Sequence, residues 1–556
     1  MSYREPLYGA SIVGSVVKKA MRVLVAAASP VPVVAGIVLV ASANVGGTAA
    51  AGAQSMVAMP DNVNAAIGHS TRMGDMAASD MMSVAVSLNP RNQAGLQAFL
   101  AAVSDPTSPQ YHQYLTPNEF TARYGPTQAD VAKVTDYLTA AGLTVQDVSP
   151  NRQVVDATGP VSMMEQAFNT HLSNYQQAGR EFYANDIAPA LPASVAGMVA
   201  GISGLDNHAV RHAMAKPMAV PQAVNGFTPP QLQTAYNTTS LGTAAGQSVA
   251  LWEFDGYQAS NIATYDNQFG INAPTPQTVS VDGANFDQQP GQGQGEVELD
   301  IELVQAMANA ANTLVYEAPN SDQGQIDMAN RIVSDDKVSV TSISWGACEA
   351  ASTPATITST DNALAQGAAE GISFYAAAGD SGSNDCRNGT AAVDYPASDP
   401  NVTGVGGTSL TTGANGAYQS ETAWNGSGGG VSAVFNTPAY QQGQQSAMRT
   451  VPDVASNADP NTGFAIFTAG QWQVFGGTSC GAPMWAGFTA LYDAKAAAKL
   501  GNGNTKFYAI GNDANYASAF HDVTSGSNGG FAAGTGYDDV TGWGSYNGAG
   551  LAAALG

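Results

Sequence analysis

The chain has few cationic side chains. It holds 19 lysines and arginines against 43 aspartates and glutamates in 556 residues, which gives a formal net charge of −24. From Pro221 onward the imbalance is 29 acidic against 7 basic residues. Such a surface repels nucleic acid and anionic membranes, so neither is expected as a partner. The chain also lacks a glycine-lysine phosphate loop and any Cys-x-x-Cys pair, so nucleotide and zinc binding have no support.

Histidine is also scarce, and its placement limits the catalytic chemistry. Only His521 follows the region that holds Ser479, and the other five histidines precede it. A Ser-His-Asp triad would have to use His521, which is followed directly by Asp522 in a loop that resembles a metal site. We therefore expect any serine nucleophile in this chain to use a carboxylate base.

Residues 476–483, Gly-Gly-Thr-Ser-Cys-Gly-Ala-Pro, place Ser479 where a glycine-rich turn enters an apolar helix. A glycine turn lets the backbone approach a substrate closely. A helix N-terminus supplies free N–H groups and the positive end of a dipole for a developing oxyanion. The pattern is that of a catalytic nucleophile.

Residues 295–307 predict a helix opened by a glycine-rich loop, and four carboxylates lie on it. Glu296 and Asp300 are four apart and share one face, and Glu298 and Glu302 share a different face. We expect one pair to form the site and the other to be solvated. Two carboxylates held close raise each other's pKa and can share a proton. The alternative is an ordinary acidic helix face.

With these motifs in view, the chain resembles the sedolisins, the serine-carboxyl peptidases, over about residues 81–556. The resemblance implies a subtilisin-like α/β fold in which Ser479 is the nucleophile, with Pro483 completing its motif. Glu296 would be the general base and Asp300 the group that orients it. The stretch 378–382, Ala-Gly-Asp-Ser-Gly, would place Asp380 in the oxyanion hole. Asp380 must be protonated to donate a hydrogen bond there, which implies an acidic optimum.

Weaker matches follow in the family's order: 342–346, Trp424, 428–432 and 451–454. Glu253, at the end of a strand-like run, matches an extra glutamate that some members hydrogen-bond to the base. Its alternative role is that of an ordinary carboxylate at a strand end.

The three cysteines leave two for a bridge. Cys348 and Cys386 have a spacing similar to that of a disulfide in some bacterial sedolisins, and the alternative is two free thiols. Cys480 is expected to be a small buried thiol.

The N-terminal segment resembles an export signal. Lys18, Lys19 and Arg22 precede an apolar run from Val23 to Ala43, followed by small residues. We expect a signal peptide over 1–53, cleaved near 43–53, and a secreted, extracellular protein. A single-pass anchor is the alternative, because the run is about 20 residues long.

Four further segments are expected: a weakly patterned linker over 54–80, a small α+β activation domain over 81–206, an exposed processing linker over 207–225 and the peptidase domain over 226–556. In the activation domain, Thr116, Pro117 and Glu119 predict a capped helix start, and Thr127 is expected to cap the next helix. The resemblance implies an intramolecular chaperone and inhibitor, with an independent accessory domain as the alternative. In the peptidase domain, strand-like runs alternate with helical ones, which predicts a mostly parallel sheet.

The C-terminal loop predicts a calcium site. Carboxylates and carbonyls presented by glycine turns are hard oxygen ligands, which suit Ca²⁺ and not zinc. By itself the loop could equally be turn-rich with two solvated aspartates. The resemblance implies one structural Ca²⁺ held by Asp522, the carbonyl oxygens of Val523, Gly534 and Gly536, and Asp538.

Together these features predict a secreted, acid-acting, monomeric serine-carboxyl endopeptidase made as a self-processing proenzyme, with proteins or peptides as substrates. After removal of the signal no stable membrane association is expected. A tripeptidyl exopeptidase of the same family is the nearer alternative, and a catalytically silent, calcium-stabilised binding protein is the more distant one.

Overall fold

The computed structural model describes residues 55–218, 226–444 and 446–556. The expected signal peptide therefore lies outside the described residues. The first region holds nine strands: β1 (Met56–Ala58), β2 (Thr71–Asp75), β3 (Met81–Leu88), β4 (Thr144–Val148), β5 (Val154–Pro160), β6 (Leu172–Gln177), β7 (Arg180–Asn185), β8 (Ala190–Pro192) and β9 (Val199–Ser203). Its helices are α1 (Gln93–Ser104), α2 (Pro117–Arg123), α3 (Gln128–Ala140), α4 (Val161–Phe168) and α5 (Ala193–Ala196).

The first region is built on an antiparallel sheet in the order β4-β5-β3-β9, which shares its apolar core with α3 and α4. The helix starts predicted at Thr116 and Thr127 are confirmed, because each threonine forms a reciprocal capping box with the acidic residue three positions on, Glu119 and Asp130. Local side-chain chemistry is sufficient to define these two helix ends.

The linker expected over 54–80 is wrong as a description of this segment. Strand β1 pairs with β8, and β2 pairs with β6, so both belong to the first region. Residues 81–88 continue directly into the sheet as β3. The pairing partners lie more than 90 residues away in sequence, and the short strands have little alternation of their own, so no local pattern indicated them.

The segment 207–225, expected to be an exposed linker, is partly buried and partly in strands in the structure. Residues 209–218 run against the second region as two short strands, β10 (His212–Ala213) and β11 (Lys216–Met218). Arg211 and Met214 between and beside them are 2% and 1% exposed. Residues 219–225 of this expected linker lie outside the described residues.

The second region contains strands β12 (Ser248–Glu253), β13 (Gln277–Ser280), β14 (Asn312–Glu317), β15 (Val340–Ile343), β16 (Trp345–Cys348), β17 (Ser373–Ala377), β18 (Asp394–Tyr395), β19 (Thr403–Thr412), β20 (Tyr418–Ala423), β21 (Gly430–Asn436), β22 (Met448–Val451), β23 (Val454–Asn457), β24 (Phe464–Thr468), β25 (Gln471–Gly476), β26 (Phe520–His521) and β27 (Ser545–Tyr546). Its helices are α6 (Pro229–Ala235), α7 (Ala259–Phe269), α8 (Gln294–Met307), α9 (Asp322–Asp335), α10 (Pro354–Ala369), α11 (Gly481–Ala496), α12 (Asn504–Gly511), α13 (Tyr516–Ala519) and α14 (Gly548–Leu555).

The expected α/β fold with a mostly parallel sheet is confirmed. Eight strands form one sheet in the order β13-β14-β12-β15-β17-β19-β20, with β23 also pairing with β19. All pairs are parallel except β19 with β20. Helices α8 and α11 pack on one face and α9 and α10 on the other, and alternate strand residues enter the two cores. No helix in the described ranges is long and apolar enough to cross a membrane.

Candidate active site

The site lies at the carboxyl ends of the central parallel strands, the usual position for ligands in such sheets. Glu253 is the last residue of β12, Ser344 follows β15 directly, and Asp380 lies three residues beyond β17. Helix α8 brings Glu296 and Asp300 to the same edge, and the turn before α11 brings Ser479. Residues from five separated segments thus meet at one place.

A glycine loop fixes the start of α8. The Asp255 carboxylate accepts hydrogen bonds from the backbone N–H groups of Gly291 and Gly293 at 2.6 and 2.7 Å. A Cβ on Gly293 would lie 2.6 Å from the Trp345 ring, so only glycine allows this approach. The loop therefore sets the position of Glu296 in the first turn of the helix.

A chain of buried carboxyl groups runs inward from Glu296. Asp300 Oδ1 accepts a hydrogen bond from the Ser344 hydroxyl at 2.7 Å, and Glu253 Oε2 accepts one from the Trp345 indole at 2.7 Å. The remaining oxygen on each of Glu253 and Asp300 has no donor among the described residues. The two carboxyls face each other closely enough to couple, so a shared proton would satisfy both.

Burial is the main cause of the pKa shifts of these three carboxyl groups. Burial first, and then the charge of Asp300, raises the pKa of Glu296 well above its usual range. Burial raises the pKa of Asp300 to about 8, and burial together with Asp300 raises the pKa of Glu253 strongly. All three groups are at most 2% exposed. The cluster retains protons at pH values where free carboxylates are ionised, which is the behaviour required for acid/base chemistry.

Ser479 lies in a 3-10 turn immediately before α11. Burial and Asp300 raise the pKa of Glu296, and the Ser479 hydroxyl, which faces the Glu296 carboxyl, partly offsets that rise. The hydrogen bond of this hydroxyl is to the Ser344 carbonyl oxygen at 3.4 Å. Gly477 precedes the turn with φ +111°, which L side chains rarely adopt. Both backbone strain and space require glycine here, since a Cβ on Gly477 would lie 2.7 Å from Asp380 Oδ2.

Asp380 lies opposite the turn that holds Ser479. Its Oδ1 accepts hydrogen bonds from the N–H and hydroxyl of Thr478 at 2.8 and 3.0 Å, whereas Oδ2 is buried with no donor among the described residues. Burial raises the pKa of Asp380 to about 6, even though the ammonium of Lys216 lowers it. A protonated Oδ2 would be a hydrogen-bond donor directed toward the space in front of Gly477.

That space is occupied by the chain itself. The N–H of Ser479 donates a hydrogen bond to the carbonyl oxygen of Met214 at 3.1 Å, and the N–H of Met214 donates to the Ser344 carbonyl at 3.2 Å. A Cβ on Gly477 would lie 2.1 Å from the same Met214 oxygen. The Met214 carbonyl therefore lies where Ser479 and Asp380 would stabilise an oxyanion.

The second pair of acidic residues on α8, expected from the sequence to be solvated, is buried. Glu298 and Glu302 are both 0% exposed. Glu298 Oε1 accepts hydrogen bonds from Gln258 N–H and two side-chain amides at 2.9 Å, and Glu302 Oε2 accepts one from the Phe467 N–H at 2.9 Å. Helix α8 is covered on all sides by α7, α11 and β24, so both of its acidic faces are buried.

The remaining sequence candidates are positioned as follows. His521 stacks on Tyr418 with ring centroids 3.6 Å apart, and burial lowers the pKa of His521 to about 4. No contact joins it to Ser479 in the described residues. Cys348 and Cys386 form a disulfide, whereas Cys480 is a free, fully buried thiol.

The two aspartates expected to bind calcium lie beside one phenol. Asp522 Oδ1 accepts hydrogen bonds from the Tyr516 hydroxyl at 2.9 Å and from the Gly536 N–H at 3.1 Å, and Asp538 Oδ2 accepts one from the Gly534 N–H at 2.9 Å. Burial first, and then the charges of both aspartates, raise the pKa of Tyr516. The two carboxylates therefore lie in the same neighbourhood.

The donor chemistry of this loop fits calcium. The carbonyl oxygens of Val523, Gly534 and Gly536 accept no backbone hydrogen bond from other described residues, so they remain available as ligands. No cluster of three or more His, Cys, Asp or Glu side chains suited to a metal occurs in the described ranges. An ion here would accordingly need backbone carbonyls as well as the two carboxylates, as calcium sites commonly have.

Comparison with known proteins agrees with this geometry. Residues 68–208 match the pro-kumamolisin activation domain, and residues 283–537 match the subtilase family. The fold and the matches define a serine-type peptidase with a subtilase-like domain preceded by an activation domain.

Two relatives and one solved structure define the peptidase family more closely. The chain is 33% identical to sedolisin of Pseudomonas sp. (strain 101), over 86% of this chain and 88% of sedolisin, and 34% identical to kumamolisin of Bacillus sp. (strain MN-32), over 87% and 93%. A solved structure of Pseudomonas sedolisin with pseudo-iodotyrostatin matches with a TM-score of 0.56 at 33% identity, covering 60% of this chain and 98% of that one. The chain belongs to the sedolisin family of serine-carboxyl peptidases.

Sequence reasoning missed two parts of this site. Ser344 links Asp300 to the backbone of the nucleophile turn, donating to Asp300 and within 3.3 Å of the Ser479 carbonyl oxygen. In the sequence, residues 342–346 are only one of the weaker matches to the family, and no role is expected for Ser344. The second omission is the segment 209–218, which is expected from the sequence to be part of an exposed linker but fills the cleft in the structure.

Proposed function

We propose that the protein is a secreted, acid-acting endopeptidase, made as a proenzyme whose activation domain inhibits it until the intervening segment is cut. The family membership supplies the class of enzyme. Secretion is supported by the basic and apolar pattern of residues 18–43, and acid action by the buried, proton-retaining carboxyl groups around Ser479. We further propose that the mature enzyme is a monomer acting on proteins and peptides.

In the proposed mechanism Glu296 is ionised, with the proton of the cluster held by Asp300 or Glu253. Ser479 Oγ attacks the carbonyl carbon of the substrate while Glu296 takes the Ser479 proton. Asp300 orients Glu296 and keeps a proton near it, helped by Glu253. The oxyanion receives hydrogen bonds from the Ser479 N–H and from protonated Asp380. Glu296 then gives its proton to the leaving amine, and the acyl-enzyme is hydrolysed by water that Glu296 deprotonates in turn.

The path of the chain through the cleft favours endopeptidase over tripeptidyl activity. Upstream of Met214 the segment continues without a break through Arg211 and Ala209 toward the activation domain, and downstream it continues as β11. An enzyme that removes tripeptides must close its cleft three residues before the cut bond. In the proenzyme the four residues Arg211 to Met214 lie on that side against the second region, which supports binding of an internal segment of a protein.

Digestion of an unfolded protein substrate tests the proposal. The processed enzyme should release peptides of many lengths from casein at pH 4, and it should cut a peptide whose N-terminus is blocked by acetylation. Release of tripeptides alone from free N-termini would identify an exopeptidase. Ser479→Ala should abolish both activities while leaving a proenzyme of full length, and activity that survives this change would overturn the assignment of the nucleophile.

We also propose one structural Ca²⁺, held by Asp522, Asp538 and the carbonyl oxygens of Val523, Gly534 and Gly536. The ion would neutralise two neighbouring carboxylates and brace a glycine-rich loop, without taking part in the reaction. The donor set described above supports this assignment.

A further inference from the structure

The segment between the two regions is held against the catalytic turn in a single register. His212 and Ala213 pair antiparallel with Gly346 and Trp345 of β16, and Lys216–Met218 pairs antiparallel with residues 474–476 of β25. Met214 and Ala215 lie between these two ladders. A peptide bound by backbone pairing on both sides of one bond is presented as an extended substrate.

A buried ion pair prevents this segment from slipping. The guanidinium of Arg211 pairs with Asp322 and donates a hydrogen bond to Gln325 Oε1 at 2.7 Å, with Arg211 and Asp322 both almost completely buried. Asn320 Nδ2 donates to the Arg211 carbonyl at 2.7 Å. A shift of one residue would leave the buried Asp322 carboxylate without its guanidinium partner, which is strongly unfavourable.

Side chains alternate across the cleft as expected for an extended strand. Ala213, Ala215 and Pro217 line a cavity of about 280 Å³ that also borders Glu296. Met214 points to the other side, where its Sδ lies 4.0 Å from Thr478 Oγ1. A Cβ on Gly346 would lie 2.5 Å from the Met214 terminal methyl, so the absence of a side chain at Gly346 gives this methionine its space.

We propose that Met214–Ala215 is the first bond the proenzyme cuts in its own chain, and that Gly346 allows the enzyme to accept unbranched side chains as long as methionine before the cut bond. The inference rests on the proposed function, in which Ser479 is the nucleophile. Of the peptide carbonyls in this segment, that of Met214 receives the Ser479 N–H. The carbonyl whose oxygen lies in the oxyanion site is the one that Ser479 Oγ can attack.

The step balances without any further reactant than water. Ser479 Oγ bonds to the Met214 carbonyl carbon and its proton passes to Glu296. The C–N bond to Ala215 breaks as that nitrogen takes the proton, which leaves Met214 as an acyl group on Ser479. Water then attacks, Glu296 takes one of its protons, and the Oγ–C bond breaks as Ser479 regains a proton. The products are a Met214 carboxylic acid and an Ala215 amine.

Mass spectrometry of the proenzyme after a brief shift to acidic pH tests the bond. At early times, while most chains are intact, the first new N-terminus should be Ala215 and the first new C-terminus Met214. Because the bond is already held by the same molecule, the initial rate per molecule should not depend on proenzyme concentration. A first cut at another bond, or a rate that rises with concentration, would overturn the inference. If the processed enzyme is nevertheless active in that case, the proposed function still holds.

A pair of substitutions tests the size limit at Gly346. Gly346→Ala should slow the cut at Met214–Ala215 several-fold, because the terminal methyl of Met214 must shift away from the new Cβ. Met214→Ala in the Gly346→Ala background should restore the rate, whereas Met73→Ala, at an exposed position on β2, should not. The processed Gly346→Ala enzyme should prefer peptides with alanine over those with methionine before the cut bond. Equal slowing with both side chains would overturn the assigned role of Gly346.

Discussion

Asp380→Asn should remove the loss of activity that is expected of the wild-type enzyme as pH rises. The Asp380 carboxyl must be protonated to donate to the oxyanion, and its pKa is raised to about 6 by burial. Above that pH the protonated fraction falls about tenfold per pH unit, so the processing rate of the wild-type proenzyme should fall about tenfold between pH 7 and pH 8. Asparagine supplies an N–H donor that does not titrate. The variant should retain activity within about tenfold at pH 4, since removal of an oxyanion donor altogether costs about 10²–10³.

The surroundings of Asp380 sharpen this prediction. The ammonium of Lys216 lies 3.8 Å from Asp380 Oδ2 and above the Trp424 ring, and it lowers the pKa of Asp380, as Arg387 does more weakly. Three neighbouring acidic side chains also face Asp380. Burial first, and in part the charge of Asp380, raises the pKa values of Asp385, Asp394 and Glu296. Lys216→Met should therefore shift the basic limb of proenzyme processing to higher pH.

The assay is the initial rate of the first cut between pH 3 and pH 8, followed by gel densitometry at constant ionic strength. Wild type, Asp380→Asn and Lys216→Met should give three distinct basic limbs: near pH 6, absent, and above the wild-type position. High salt should move the wild-type limb toward that of Lys216→Met, because Lys216 is partly exposed and its charge is screened. An identical basic limb in wild type and Asp380→Asn would refute the reasoning and assign the limb to the Glu296 cluster.

Three further outcomes are expected. Glu296→Gln should lower kcat/KM by at least about 10³ without lowering the melting temperature, because it removes a desolvated carboxyl along with the base; a variant with more than a tenth of wild-type activity would contradict this. Excess calcium should stabilise the Ser479→Ala protein by about 2.7 kcal/mol at a hundredfold excess over Kd, and Asp538→Ala should abolish that gain; equal melting curves with calcium and EDTA would remove the ion from the account. Burial raises the pKa of Asp493 to about 7, so its contribution to stability is present below about pH 4 and lost as pH rises to 7. In urea titrations of the Ser479→Ala protein, Asp493→Asn should reduce the loss of unfolding free energy over that range by at most about 4 kcal/mol, and an unchanged loss would show that Asp493 does not titrate there.

Some features of this protein follow from the sequence because they depend on local chemistry. The capped helix start at Thr116 needs only residues within one turn. The glycine-rich turn before Ser479 and the spacing of Glu296 and Asp300 are likewise short-range, and together with the order of the motifs they indicated the family. The parallel sheet could be predicted from alternating strand-like and helical segments.

Only the tertiary structure determined which groups are buried and which meet. The sequence alone placed Glu298 and Glu302 on a solvated face, but helices and strands distant in sequence cover that face and supply donors for both. Glu253 becomes part of the carboxyl cluster because β12 ends and α8 begins at the same edge of the sheet. The segment around Met214 looks like an exposed linker until β16 and β25 pair with it. Its backbone groups find partners more than 100 residues away, and no local pattern in a sequence encodes such pairing.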